Sequence, residues 1–283
     1  MPVAFTRFRA CGLAALLLSA CTDQESPQPA PAVNEHLVLG NPSGATTDAA
    51  KPTNYLLEKP QYALSYHRDR GLPNWVAWHL SPDWLGNAAR QDDFRPDAAL
   101  PAGWYQVQAS SYVGSGFDRG HHCPSADRTR SAADNSATFL MTNMGPQAPN
   151  HNQRTWARLE DYCRSLVEDG QELYIVCGSY GRGGTGSNGY ALTLDRGRVT
   201  VPAHYWKVIV ALPVGEQDAQ RVGREARIIA VDVPNDNDVS SNWASYRTSV
   251  DAIEQATGYD LLSAVPQATQ ATVEARVDNG PTQ

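Results

Sequence analysis

Lysine is nearly absent from this 283-residue chain: Lys51, Lys59 and Lys207 are the only three, against twenty arginines. Positive charge is in deficit as well, with 23 basic and 30 acidic residues and a formal net charge of -7. That sign excludes a protein that holds nucleic acid by bulk charge alone, so any phosphate recognition needs a local basic cluster. Arginine suits such a cluster, because its planar fork meets phosphate oxygens in bidentate fashion whereas lysine offers a point charge. Long apolar runs are missing too, and no stretch reaches the roughly 18 residues that a permanent membrane span needs. Cysteine is scarce: beyond residue 21 only Cys123, Cys163 and Cys177 remain, which excludes more than one disulfide among them. What is present is globular, 41% hydrophobic and 19% charged, with seven Trp and twelve Tyr to fill a sizeable core.

The first twenty residues read as an export signal. Arg7 and Arg9 form the basic end, and Leu13 to Leu18 with flanking Ala and Gly form a short apolar core. The segment closes on Leu18-Ser19-Ala20-Cys21, which resembles a bacterial lipoprotein box. The resemblance implies cleavage before Cys21, acylation of its thiol and new amino terminus, and a soluble body tethered to a membrane by lipid. Loss of the leader takes the net charge from -7 to -9. Thr22 after Cys21 favours the outer membrane over the inner if sorting follows the enterobacterial pattern. An ordinary secretory signal, and hence a secreted protein, is the alternative.

Residues 21–34 are Pro-rich and polar and read as an extended tether. A single folded domain is expected over 35–266, followed by a small, polar tail over 267–283 with one amphipathic turn. Tyr62–Tyr66 and Trp75–Leu80 have the aromatic, alternating character of paired strands, with Gly71 and Pro73 supplying the turn. Phe117–His122 reads as a strand end, and Ala137–Thr142 as another short strand. From Gln153 to Glu168 the period becomes helical: Trp156, Leu159, Cys163, Leu166 and Val167 recur at spacings of three and four, and Gly170 follows as a stop. Leu173–Cys177, Val199–Val201, Trp206–Leu212 and Ala226–Val231 read as strands, and about Ser249–Ala256 as a last helix. Gly181–Gly189 is Gly-rich but lacks a following Lys-Ser/Thr and helix, so it reads as a loop rather than a phosphate cradle.

Two segments carry chemistry: Asp118-Arg119-Gly120-His121, and the later run from His151-Asn152-Gln153 to Glu160. A histidine base, an amide ligand and a carboxylate on one helix suffice for metal-assisted phosphodiester hydrolysis. Asp118-Arg119-Gly120 alone means little, since Asp195-Arg196-Gly197 repeats it before Arg198 in what reads as a hairpin turn. A lone His121 is more often structural, Asn152 alone is a helix cap, and Glu160 with Arg164 alone is a surface ion pair. Of the possible disulfides, Cys123 with Cys163 is preferred because both adjoin these segments, with three buried free thiols as the equal alternative.

Taken together, the segments resemble the DNA/RNA non-specific endonucleases, a family of sugar-non-specific nucleases with a ββα-metal active site, in order from about His36 to Pro266. The resemblance implies an α+β fold, a mainly antiparallel central sheet flanked by helices. It implies that His121 is the general base, that Asn152 holds one divalent cation (Mg2+ or Mn2+), and that Glu160 orients metal-bound water. Arg119 belongs to the motif, and Arg164 matches an arginine at the family site. Arg90 matches the upstream arginine that contacts the scissile phosphate, with Arg95 as its rival. Asn143 matches a position that shapes the pocket around His121. DNA and RNA are the implied substrates and 5′-phosphate ends the implied products. Departures are few: His122 and Cys123 replace residues that are commonly apolar or small, and Arg154 stands where Gly often follows Asn-Gln. Two other readings stay open, a lipid-anchored nucleic-acid-binding protein without cleavage and a zinc module using His121, His122, Cys123 and His151.

Overall fold

The segment Tyr205-Trp206-Lys207-Val208-Ile209-Val210-Ala211-Leu212 is apolar on both alternating faces apart from Lys207, the pattern of a strand covered on both sides. It lies near the middle of the molecule's main sheet. The computed structural model describes residues 1–6 and 34–282; the leader core, the Cys21 box and nearly all of the tether lie outside the described residues. The chain divides into Met1–Ala32, whose described residues 1–6 carry no regular element, and Val33–Gln283.

The principal strands of the second unit are β1 (Tyr55–Glu58), β2 (Ala63–His67), β3 (Leu72–Leu80), β4 (Asp118–His121), β5 (Met144–Gln147), β6 (Gln171–Tyr180), β7 (His204–Pro213), β8 (Arg227–Pro234) and β9 (Arg247–Thr248). Seven of them form one antiparallel sheet in the order β1-β2-β3-β6-β7-β8-β9, while β4 and β5 pair separately. The longer helices are α1 (Ala132–Ala137), α2 (Ala157–Glu168), α3 (Val250–Thr257) and α4 (Gln267–Val273). On one face of the sheet Tyr205, Ile209 and Ala211 pack with Leu159, Cys163 and Leu166 of α2. On the other, Trp206, Val208, Val210 and Leu212 pack with Val250 and Ile253 of α3. Each such buried aliphatic side chain contributes about 1.5–3 kcal/mol. The architecture is the expected α+β, antiparallel and flanked by helices.

Local sequence explains the details. The β2–β3 turn uses Gly71 at φ 65, where an added Cβ would also lie 2.4 Å from the Arg198 carbonyl oxygen. Pro73 is inside β3 rather than in the turn, opposite Tyr66 at a shift of register. The strand expected over Ala137–Thr142 is not formed. That segment ends α1 and makes a 3-10 turn at Met141–Asn143, and the strand follows as β5. The cause is upstream: Ser131 caps α1 by accepting from Asp134 N, and Gln61 Nε2 donates to the Asp134 carboxylate at 2.8 Å. Asp195–Gly197 is the expected hairpin turn, with all three φ angles positive.

Cys123, Cys163 and Cys177 are free and buried, so the preferred Cys123–Cys163 disulfide is not formed. Adjacency to the same site segments does not supply the Cα separation and side-chain direction that a bridge needs. Burial lifts the Cys123 and Cys163 thiols to about 12, far from thiolate chemistry at neutral pH.

Beyond Pro266, Val273 of α4 is buried, and Asp278 reaches back to Arg227 Nε and Arg247 Nη2, each at 3.0 Å. At the sheet margins, β1 meets a parallel bridge between Thr46 and Tyr55, and β9 is two residues long.

Candidate active site

Strand β4 carries the Asp-Arg-Gly-His run and pairs with β5 so that Gly120 faces Gly145 and His121 faces Met144. Neither glycine has room for a side chain. A Cβ on Gly120 would lie 2.1 Å from Gln147 Oε1, and one on Gly145 would lie 2.4 Å from Tyr205 Oη. Asn143 extends this pairing past His121: it binds the Cys123 N–H through Oδ1 and the Cys123 and Thr138 carbonyls through Nδ2. It therefore stands behind the site and fixes the backbone there.

The helix that faces the hairpin begins as π-helix over His151–Trp156, where the Ala157 N–H donates to the Asn152 carbonyl five residues back, and continues as α2. Between hairpin and helix lies a cleft of about 250 Å³ lined by Arg90, Arg119, His121, Asn152 and Glu160 together with Ser125 and Gln153. A larger depression of about 770 Å³, bordered by Arg158, Tyr162 and Trp243, contains none of the candidate residues. Convergence of chemically matched groups outweighs size in locating the site.

His121 is held between Phe94 and Phe139, with ring centroids at 5.7 and 4.9 Å. Its Nε2 is buried and has no hydrogen-bond partner. Burial, then Arg90, His122 and Arg119, hold its pKa down at about 3, so the imidazole is neutral at physiological pH. The same two phenyl rings support the cations: Arg90 lies 4.8 Å over Phe139 and Arg119 4.1 Å over Phe94. Arg90 also donates to Asp92 at 2.7 Å and to Ser125 Oγ at 2.8 Å. Its rival Arg95 binds Asp93 and the Ser136 carbonyl and does not line the cleft.

Asn152 Nδ2 and Gln153 Nε2 both donate to Asp118 Oδ2 at 2.8 Å. This anchors the amide by its nitrogen and leaves the oxygen of Asn152 as the free acceptor. Glu160 is paired at 3.4 Å with the ammonium of Lys207, which is fully buried and lies 4.3 Å from the centre of the Trp156 ring. Burial raises the pKa of Glu160 above the ordinary carboxylate value, and Lys207 counters part of that push. Arg164 does not join the cleft: Asp127, at 2.8 Å, and Asp161 take up its guanidinium. Asp127 in turn accepts from Trp78 Nε1 at 3.0 Å. Lys207, Asp127 and Arg164 are thus the charged neighbours of Glu160, which itself lines the cleft.

A sequence profile described as DNA/RNA non-specific endonuclease matches residues 40–268. The chain belongs to this family. A nuclease of Nostoc sp. (strain PCC 7120 / SAG 25.82 / UTEX 2576) is 50% identical over 275 residues, covering 95% of this chain and 97% of that protein. Human mitochondrial endonuclease G is 34% identical over 169 residues, 57% of this chain and 56% of its own length. In fold, the chain is similar to EndoG in a crystal structure of the EndoG/EndoGI complex, with a TM-score of 0.68 at 22% identity, covering 86% of this chain and 96% of that one. The protein is an endonuclease of this family, and the fold is that of divalent-metal-dependent nucleases.

The donor set of the endonuclease fits a hard divalent cation: one anchored amide oxygen, a carboxylate close by, and no thiolate in the cleft. The zinc arrangement does not form. His122 is fully buried with Nδ1 on the Asn143 carbonyl, His151 is buried with Nδ1 on the Pro234 carbonyl, and only His121 opens on the cleft. Asp118, Ser125, Gln147 and Lys207 were not singled out from sequence. Lys207 had a signal, a lone charge inside an apolar strand, while Asp118 sat in the motif without a role.

Proposed function

We propose that this endonuclease hydrolyses DNA and RNA with little sequence preference, leaves 5′ phosphates, and works with Mg2+ or Mn2+. The observation that carries the reading is the convergence of Arg90, Arg119, His121, Asn152 and Glu160 on one cleft from three separate stretches of chain. Asn152 would hold the ion directly through Oδ1, and Glu160 would hold its water. When bound, the ion supplies positive charge for a non-bridging phosphate oxygen and the leaving 3′ oxygen.

The chain's own residues do the rest. The His121 imidazole takes the proton of the attacking water. The arriving phosphodiester brings negative charge that offsets Arg90 and Arg119, so the imidazole becomes a stronger base once substrate is in place. The two arginines then oppose the charge that develops on phosphorus oxygens in the transition state. Asp118 fixes the Asn152 amide, and Lys207 fixes Glu160 from below. Contacts of this kind address phosphate and sugar, which carry no base information, and water as the nucleophile makes the ribose 2′ hydroxyl unnecessary.

His121→Ala tests the mechanism. Plasmid cleavage in magnesium should fall by about 10²–10⁴-fold with an unchanged circular dichroism spectrum; undiminished cleavage would remove His121 from the mechanism. For location, we propose export and attachment to the cell envelope through acylated Cys21, supported by the leader and its Leu-Ser-Ala-Cys end. Metabolic labelling with palmitate should mark the wild type and not Cys21→Ser; equal labelling of both would exclude the anchor.

A further inference from the structure

Asp251 and Glu254 stand three residues apart on α3, and Glu274 follows the last residue of α4. One carboxylate oxygen from each lies within 4.8 Å of those from the other two. Acids that gather at a surface by chance stay in water. Glu274 instead is 6% exposed, and its Oε1 is buried without a hydrogen-bond partner. Among the described residues no lysine or arginine pairs with any of the three. Burial, then Glu254, Asp251 and Asp260, push the Glu274 carboxyl up to about 7. The backbone holds the cluster in place, since Asp251 N donates to the Glu274 carbonyl at 3.1 Å and Leu261 N donates to Glu254 Oε1 at 2.7 Å.

We propose that Asp251, Glu254 and Glu274 form a calcium site, separate from the catalytic cleft, that fastens the C-terminal segment to α3. Three hard oxygen donors exclude a thiophilic metal. Calcium takes six to eight oxygen ligands in flexible geometry, whereas magnesium demands a near-ideal octahedron and is usually held by one or two carboxylates, so a cluster of three carboxylates suits calcium. Asp251 is exposed and Glu254 half-buried, which leaves positions for water. Four residues beyond Glu274, Asp278 bridges Arg227 and Arg247, so the ion would secure the chain just before it returns to the sheet margin.

Thermal unfolding and calcium titration calorimetry of the full chain test the site in the wild type, Glu274→Gln, Asp251→Asn and Asn152→Ala. Saturating calcium should raise the unfolding temperature of the wild type and Asn152→Ala by about 5 °C relative to EDTA. Glu274→Gln should lose that shift and, in EDTA, unfold no earlier than the wild type, because the substitution removes repulsion. Its plasmid cleavage in magnesium should equal that of the wild type. Asp251→Asn, at an exposed position, should fold and bind calcium at least tenfold more weakly. An equal calcium shift in Glu274→Gln and Asp251→Asn, no shift in the wild type, or a shift abolished by Asn152→Ala would each overturn the proposal.

Discussion

An ammonium buried in mid-strand needs an anion, and Lys207 finds one in Glu160 beneath the rings of Trp78 and Trp156. Lys207→Met would strand Glu160 without its partner, at a cost of about 3–5 kcal/mol in unfolding free energy. Adding Glu160→Gln should return most of that loss, because the orphaned charge goes with it. Urea denaturation of the single and double variants measures both, and a loss in the single variant below about 1 kcal/mol would mean that the pair contributes little. His121, Asn152 and Glu160 were legible in the sequence because local motifs carry them. Their supports were not: Asp118 meets Asn152 across 34 residues, and Lys207 meets Glu160 across 47. The choice between Arg90 and Arg95 likewise needed the Phe139 ring, which no spacing reveals. Helical spacing did place Arg164 one turn past Glu160, but it could not announce that Asp127, 37 residues upstream, would claim the guanidinium.

The β4–β5 hairpin and the helix after it act as one device, because the strand sets His121 and the helix sets Asn152 and Glu160. Gly120→Ala probes the hairpin. The new methyl group would overlap the Gln147 side chain at Oε1, Cδ and Cγ, so the side chain cannot escape by swinging its tip. We expect about 1–3 kcal/mol of destabilisation from the overpacking and a disproportionate loss of cleavage as β4 shifts. A fully active Gly120→Ala at wild-type stability would show that the strands can part without harm. The long apolar strands of the sheet were readable from their period and bounding residues. Ala137–Thr142 was not, since a short buried apolar run has the same composition whether it is extended or coiled into a turn. Its outcome was decided by the Ser131 cap and by Gln61, 73 residues from Asp134.

Four histidines are held in neutral form: desolvation is the largest cause in each, and it holds His36, His121 and His151 at about 3 and His122 at about 4. In the unfolded chain they titrate near 6.5, so unfolding in acid takes up protons that the native state refuses. Their contribution is complete well above pH 6.5 and is lost progressively as pH falls through 6.5 towards 3. The urea midpoint should be flat from pH 7 to 8 and drop steeply below 6, with an uptake of up to about four protons. A midpoint unchanged down to pH 4.5 would contradict the burial of these rings. At the margins of the main sheet, β9 is two residues long with Arg247 engaged by Asp278, and β1 is met by Thr46. Bare strand margins are where β-rich proteins recruit copies of themselves into fibrils. With one margin short and held through Arg247 by the C-terminal Asp278, and the other partly covered by Thr46, this endonuclease is shielded from self-templated aggregation at both ends of its sheet.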